Sequence, residues 1–133
     1  MSMIAAILAL AALGGAAQPA SDCADPQTQH AMNRCAAADF ERADAALNAL
    51  WPEVLAYVRR QDGSPPIAGD GRAGGEARLR EAQRAWLRFR DAHCALDAYA
   101  MRGGSAEPLL YNGCRARITE ERTRQLRGLI LER

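Results

Sequence analysis

The chain contains no lysine: all 17 of its basic residues are arginine. Biased codon composition accounts for such a skew, but it has a chemical consequence. Every basic contact must come from a planar, permanently charged guanidinium that meets carboxylates as a fork. Net charge is also nearly absent, at +1, so no field draws the chain to nucleic acid. Serine and histidine are scarce, no GxSxG elbow occurs, and His30 and His93 have no neighbouring nucleophile except cysteine. Gly71 to Gly75 lacks the preceding strand and the Lys of a phosphate-binding loop. Asp62, Ser64 and Pro66 do not have EF-hand spacing, and no CxxC is present to suggest redox or metal chemistry. Most helical carboxylates, such as Glu81 and Asp91, stand near arginines in a solvated-face pattern. These absences argue against an enzyme: no catalytic residue, cofactor or metal ligand is assigned.

No stretch alternates with the two-residue period of a strand, so the fold class is all-α, a bundle of about three helices. The first helix is expected from Pro26 or Thr28 to about Arg60, with Phe40, Ala43, Leu47, Leu50, Val54 and Tyr57 as its apolar stripe. Pro52 should kink or split it. Residues 61–75, QDGSPPIAGDGRAGG, read as a flexible loop. A second helix should run from about Glu76 to Met101, and Leu79, Ala82, Trp86, Phe89, His93, Leu96 and Ala100 recur on one side as a core seam. Gly103 and Gly104 stop it. Ser105 is placed to cap a third helix, which continues through Leu110, Cys114, Ile118, Leu126 and Leu129 to near Leu131, weakened at Gly113. The few aromatic residues, 5% of the chain, are expected to dominate core energetics.

Residues 1–17 carry no charged side chain, hold an apolar run from Ile4 to Leu13, and end with Gly15 and Ala17 as small residues before Gln18. This is the form of a secretory signal peptide. The run is shorter than the roughly 20 residues that span a bilayer, and Asp22 stands where a lipoprotein would need a small residue before Cys23. A periplasmic or secreted protein follows, with residues 18–133 as one domain and no stable membrane insertion after cleavage. Four cysteines in a small exported domain read as two disulfides. In a helical hairpin, Cys94 and Cys114 lie at similar distances from the Gly103-Gly104 break, so antiparallel helices bring them level. Cys23 can fold back beside Cys35. The alternative, Cys35 with Cys94 and Cys23 with Cys114, would staple the first helix to the others and stays open at this stage.

The segment AQRAWLRFRDAHC, from Ala82 to Cys94, resembles the DUF1311 family, the group related to the LprI lysozyme inhibitor. The likeness extends to Cys23, TQHAMNRCA ending at Ala36, DAALN from Asp44 to Asn48, GGS at Gly103 to Ser105, Pro108, Cys114 and ITEERT ending at Thr123. Together these cover nearly all of the chain after residue 22. Family members often have Glu where Ala31 stands, which would complete a capping box with Thr28. The resemblance implies an inhibitor of lysozyme that acts by binding.

Several polar residues flank the apolar stripes. Asp44 and Asn48 lie one turn apart on the first helix, Arg90 on the second and Arg122 on the third, which suggests a network in which Asp44 pairs with Arg90 or Arg122 and sets helix register. Removing one partner from a buried pair costs about 3–5 kcal/mol, against under about 1 kcal/mol at a solvated edge. Arg72 in the loop and Arg102 beside the Gly-Gly turn are candidates for binding a partner, either lysozyme, whose cleft holds two carboxylates, or another envelope protein. Peptidoglycan is a further candidate if Trp51 or Tyr111 is exposed.

Overall fold

The computed structural model describes residues 23–66 and 68–131; the signal-peptide reading of residues 1–17 lies outside them. The first helix, α1, spans Gln29–Asp62. Thr28 is extended, and its hydroxyl accepts from the Ala31 N–H at 3.1 Å. The cap therefore closes without a reciprocating Glu at position 31. The helix is not split at Pro52. Proline leaves the Asn48 carbonyl without its helical donor, but Asn48 is exposed and water can take that place.

The second helix, α2, spans Gly75–Asp97 and tightens into a 3-10 turn at Ala98–Met101. Gly103 then reverses the chain at φ 76°, a left-handed conformation that glycine adopts without strain. The third helix, α3, spans Glu107–Leu131. It starts beyond the position at which Ser105 would act as its cap. Glu107 instead turns back to accept the Gly103 N–H at 2.7 Å, while the Ser105 carbonyl accepts from the Asn33 side chain at 2.8 Å. Gly113 does not interrupt the helix. Among the described residues there is no strand.

The three helices run up, down and up. α1 packs chiefly along α3, and α2 shares a smaller seam with each. The core is aliphatic: Leu47, Leu50, Val54, Leu79 and Leu126 form its centre, with Trp51, Leu55, Val58, Trp86 and Ile130 packed against them. Each fully buried aliphatic side chain contributes about 1.5–3 kcal/mol by leaving water. The expectation that aromatics dominate is corrected here, because Trp51, Trp86, Phe40, Tyr57 and Tyr111 are only half-buried, and Phe89 and Tyr99 face solvent. Small residues allow the close approach instead, since Ala36, Ala43, Ala98 and Ala116 are all buried.

The seam of α2 also differs from expectation. Leu79 is buried and Trp86 half-buried, but Phe89, His93, Leu96 and Ala100 are exposed, and Arg90, Cys94 and Ala98 take the inward face. The reason is covalent as well as electrostatic. Cys94 bonds Cys114, and the buried Arg90 meets acidic partners; side chains four apart share a face, so both turn Phe89 and Leu96 outward. On α3, likewise, Thr119, Thr123 and Ala116 are buried with Cys114 and Leu126, while Leu129 is partly exposed.

Both disulfides close at one end of the bundle. Cys23 pairs with Cys35 and Cys94 with Cys114, each across 5.5 Å between Cα atoms. That connectivity rules out the cross-stapled alternative.

Candidate functional site

At mid-bundle, Arg90 is buried, 5% exposed, although it is charged. Its guanidinium lies 5.1 Å from the Phe40 ring centre and 5.1 Å from that of Trp86, so two aromatic faces receive the cation. Its Nε donates to Asp91 at 2.9 Å, and its Nη1 lies 3.6 Å from Asp44 and 3.4 Å from the Thr119 hydroxyl. Arg115 extends the stack: it sits 3.6 Å from the Phe40 centroid and 5.0 Å from that of Tyr111. Asn48 donates to Asp44 at 3.1 Å.

Among the residues singled out from sequence, Asp44, Asn48 and Arg90 thus come together, and Arg122 does not join them. Arg122 donates instead to Gln83 at 3.1 Å and approaches the Trp86 ring. Desolvation pushes its guanidinium below its ordinary pKa. Asp44 and Asp91 keep about half their side chains in water, so this is a buried cation with two half-exposed carboxylates. Arg90 thereby contacts both α1 and α3 without forming a sealed ion pair.

The two ends of the bundle are built differently. At the α1–α2 end, Gly74 offers α2 no side-chain cap, and Asp62 supplies one from the far side of the loop. Its carboxylate accepts the backbone N–H groups of Gly75 and Glu76, satisfying donors that a helix start leaves open. Glu76 accepts a two-point contact from Arg59, at 2.7 and 2.9 Å, and further bonds from Arg80. The Arg59 and Arg80 hydrogen bonds hold the Glu76 carboxyl down at about 2. In the loop, Arg72 is occupied by Asp70, which accepts from its backbone N–H at 2.8 Å and its Nε at 3.0 Å.

At the α2–α3 end, the buried Cys94–Cys114 bond anchors the 3-10 turn and the Gly103 reversal. Arg102 lies 5.6 Å from the Tyr99 ring centre and has no carboxylate partner among the described residues. Tyr99 and Met101 stand beside it, exposed. The two arginines proposed from sequence are therefore unequal, since Arg72 is internally neutralised and Arg102 is bare. Trp51 and Tyr111 are half-buried, and the exposed aromatics are Phe89 and Tyr99.

Sequence reading missed Asp62, because a cap reaching across a loop leaves no local pattern. Phe89 and Leu96 were visible as a stripe but assigned to the core. Among the described residues, no group of three or more His, Cys, Asp or Glu side chains could hold a metal ion.

These features define a disulfide-stapled three-helix protein with an arginine-bearing turn beside the staple. A family model described as Lysozyme inhibitor LprI matches residues 20–126, and the chain belongs to that family. It is also similar to an uncharacterized protein of Rhizobium meliloti (strain 1021), with 38% identity over 124 residues, 93% of this chain and 89% of the relative. No solved structure matches.

Proposed function

We propose that this chain is an exported lysozyme-inhibitor-like protein that acts by binding and performs no catalysis. The observation that carries this reading is the family match across residues 20–126. Two disulfides with no free cysteine among the described residues suit an oxidising compartment, and residues 1–17 have the composition of a cleaved leader. No helix among the described residues is long and apolar enough to cross a membrane.

Inhibition by binding needs a rigid projection that fits a cleft and meets its charge. A glycosidase cleft places two carboxylates beside the scissile bond, and a guanidinium pairs with carboxylates at two points. Arg102 suits that role because its turn is anchored by Cys94–Cys114 and no internal acid occupies it. Arg72, tied to Asp70, is the weaker candidate. The exposed apolar side chains beside Arg102 also suit another envelope protein, which becomes the reading if no lysozyme responds.

The test is a lysis assay on bacterial cell walls. The chain is expressed with its own N-terminus, exported, purified oxidised, and titrated against c-type and g-type lysozymes. Dose-dependent inhibition is expected with at least one class. A folded, oxidised sample that slows neither would overturn the inhibitor reading.

A further inference from the structure

Among the described residues, five of the seven large hydrophobic side chains that remain exposed lie between Leu87 and Met101. Phe89 is 57% exposed, Leu96 71%, Tyr99 61% and Met101 48%. The first three, with Ala82, Ala85 and Ala92, recur at steps of three and four, so they share one side of α2 and of the 3-10 turn that continues it, directed away from the core. From Ala82 to Tyr99 the strip is about 25 Å long at a helical rise of about 1.5 Å per residue. Contiguous apolar surface of this kind on a small protein marks an interaction site.

Its charge indicates what would cover it. Arg84, Arg88 and Arg102 edge the strip, and none has an ion pair among the described residues. Elsewhere Arg59, Arg72, Arg78, Arg80 and Arg124 hold a carboxylate, while Arg34, Arg60, Arg117 and Arg127 have no ion pair among the described residues but border no comparable row of exposed apolar side chains. Against those three cations the strip carries two exposed acids, Asp97 on its other flank and Glu81, which Arg78 already holds, and His93 stacks on Phe89 at 5.3 Å between ring centres. The staple at Cys94 fixes this face on a rigid helix, so little order has to be gained on binding.

We propose that the outward face of α2 and its 3-10 turn, formed by Phe89, Leu96, Tyr99 and Met101 and edged by Arg84, Arg88 and Arg102, seats the partner. That partner presents an apolar surface bordered by carboxylates. The assignment rests on the inhibitor reading, under which the occupant is the wall and rim of the lysozyme cleft. Apolar side chains at the centre provide most of the affinity. The arginines at the rim orient the encounter and give it salt dependence.

Affinity for a c-type and a g-type lysozyme is measured by calorimetry with the oxidised chain and with Phe89→Glu/Leu96→Glu, Leu96→Ala/Tyr99→Ala, Arg88→Glu, Arg102→Glu and Arg72→Glu. The altered side chains are all exposed, and helicity and melting confirm that each variant is folded. The first double variant is expected to bind about a hundredfold more weakly, the size of loss seen when central anchors are removed. Each strip arginine reversal should cost about tenfold, less at high salt, and Arg72→Glu should bind as the parent does. If the parent binds and the face variants bind equally well, the surface assignment is overturned while the inhibitor reading stands. If the parent binds neither lysozyme, the inhibitor reading fails and the assignment falls with it. Sedimentation of the free chain as a dimer that Phe89→Glu/Leu96→Glu dissolves would also overturn it, by showing a second copy on this face.

Discussion

The two ends of this bundle solve the same problem by different means. At the α2–α3 end, a short turn is held covalently, with Cys94–Cys114 buried beneath it and Cys23–Cys35 beside it. At the α1–α2 end, a longer loop is held only by charge: Asp62 caps α2, and Glu76 gathers Arg59 and Arg80. The difference bears on the arginines of the two connecting turns. Where charge is the fastener, Arg72 is held by Asp70 and Arg59 and Arg80 by Glu76, although Arg60 beside them has no ion pair among the described residues. Where the fastener is a disulfide, Arg102 has no carboxylate partner among the described residues and lies against the Tyr99 ring.

The largest effect that would break this comparison is removal of the covalent staple. Cys94→Ala/Cys114→Ala should destabilise the fold by about 3 kcal/mol, from the entropy of an unconstrained loop of this length, as read from urea unfolding. A shift below about 1 kcal/mol would mean that packing alone holds the stapled end. Next in size is the mid-bundle cation. Arg90→Ala should cost about 3 kcal/mol, because it empties a buried site and takes away the side chain packed against the Phe40 and Trp86 rings. Asp44→Ala should cost only about 1 kcal/mol, since the carboxylate is half in water and Arg90 retains Asp91. Equal losses from the two substitutions would contradict that redundancy.

The smallest effect sharpens the charged end. The Glu76 carboxyl is held at about 2, below its ordinary 4.5. Its ionised form therefore favours the fold fully above about 4.5, and that contribution fades as pH falls through about 2. About a third of the Glu76 side chain is exposed and Arg59 is more than half exposed, so the gain is partly screened. In Glu76→Gln the acid-side slope of thermal stability should flatten over this window, while the stapled end keeps its hydrogen-exchange protection. An unchanged slope would remove Glu76 from the fastening of the loop.

Helix number and approximate boundaries were legible because breakers are local signals, and cysteine spacing favoured the observed disulfide pairing without excluding its rival. Gly103, Gly104 and the Pro-rich loop mark the ends, and Cys94 and Cys114 stand level across the turn. The face of α2 was not legible, for a physical reason. Leu79, Trp86, Phe89 and Leu96 form a cleaner apolar stripe than Leu79, Trp86, Arg90 and Cys94, and periodicity weighs hydrophobicity alone. It cannot register that a guanidinium between Phe40 and Trp86, with acids at its edge, is suited to burial. The Asp62 cap was hidden for a related reason, since its partners lie across a loop. Asp44 with Arg90 was legible as a pairing, but the half exposure of Asp44, which sets its energetic weight, depends on how the helices are arranged.

The central claim is that this LprI-family chain binds its target through the stapled end and the outward face of α2. Hydrogen–deuterium exchange of the oxidised chain, alone and with a c-type and a g-type lysozyme, tests this most directly. The account predicts new protection across residues 87–106 and unchanged exchange across residues 63–74. Protection confined to the loop, with residues 87–106 unaffected, would contradict it.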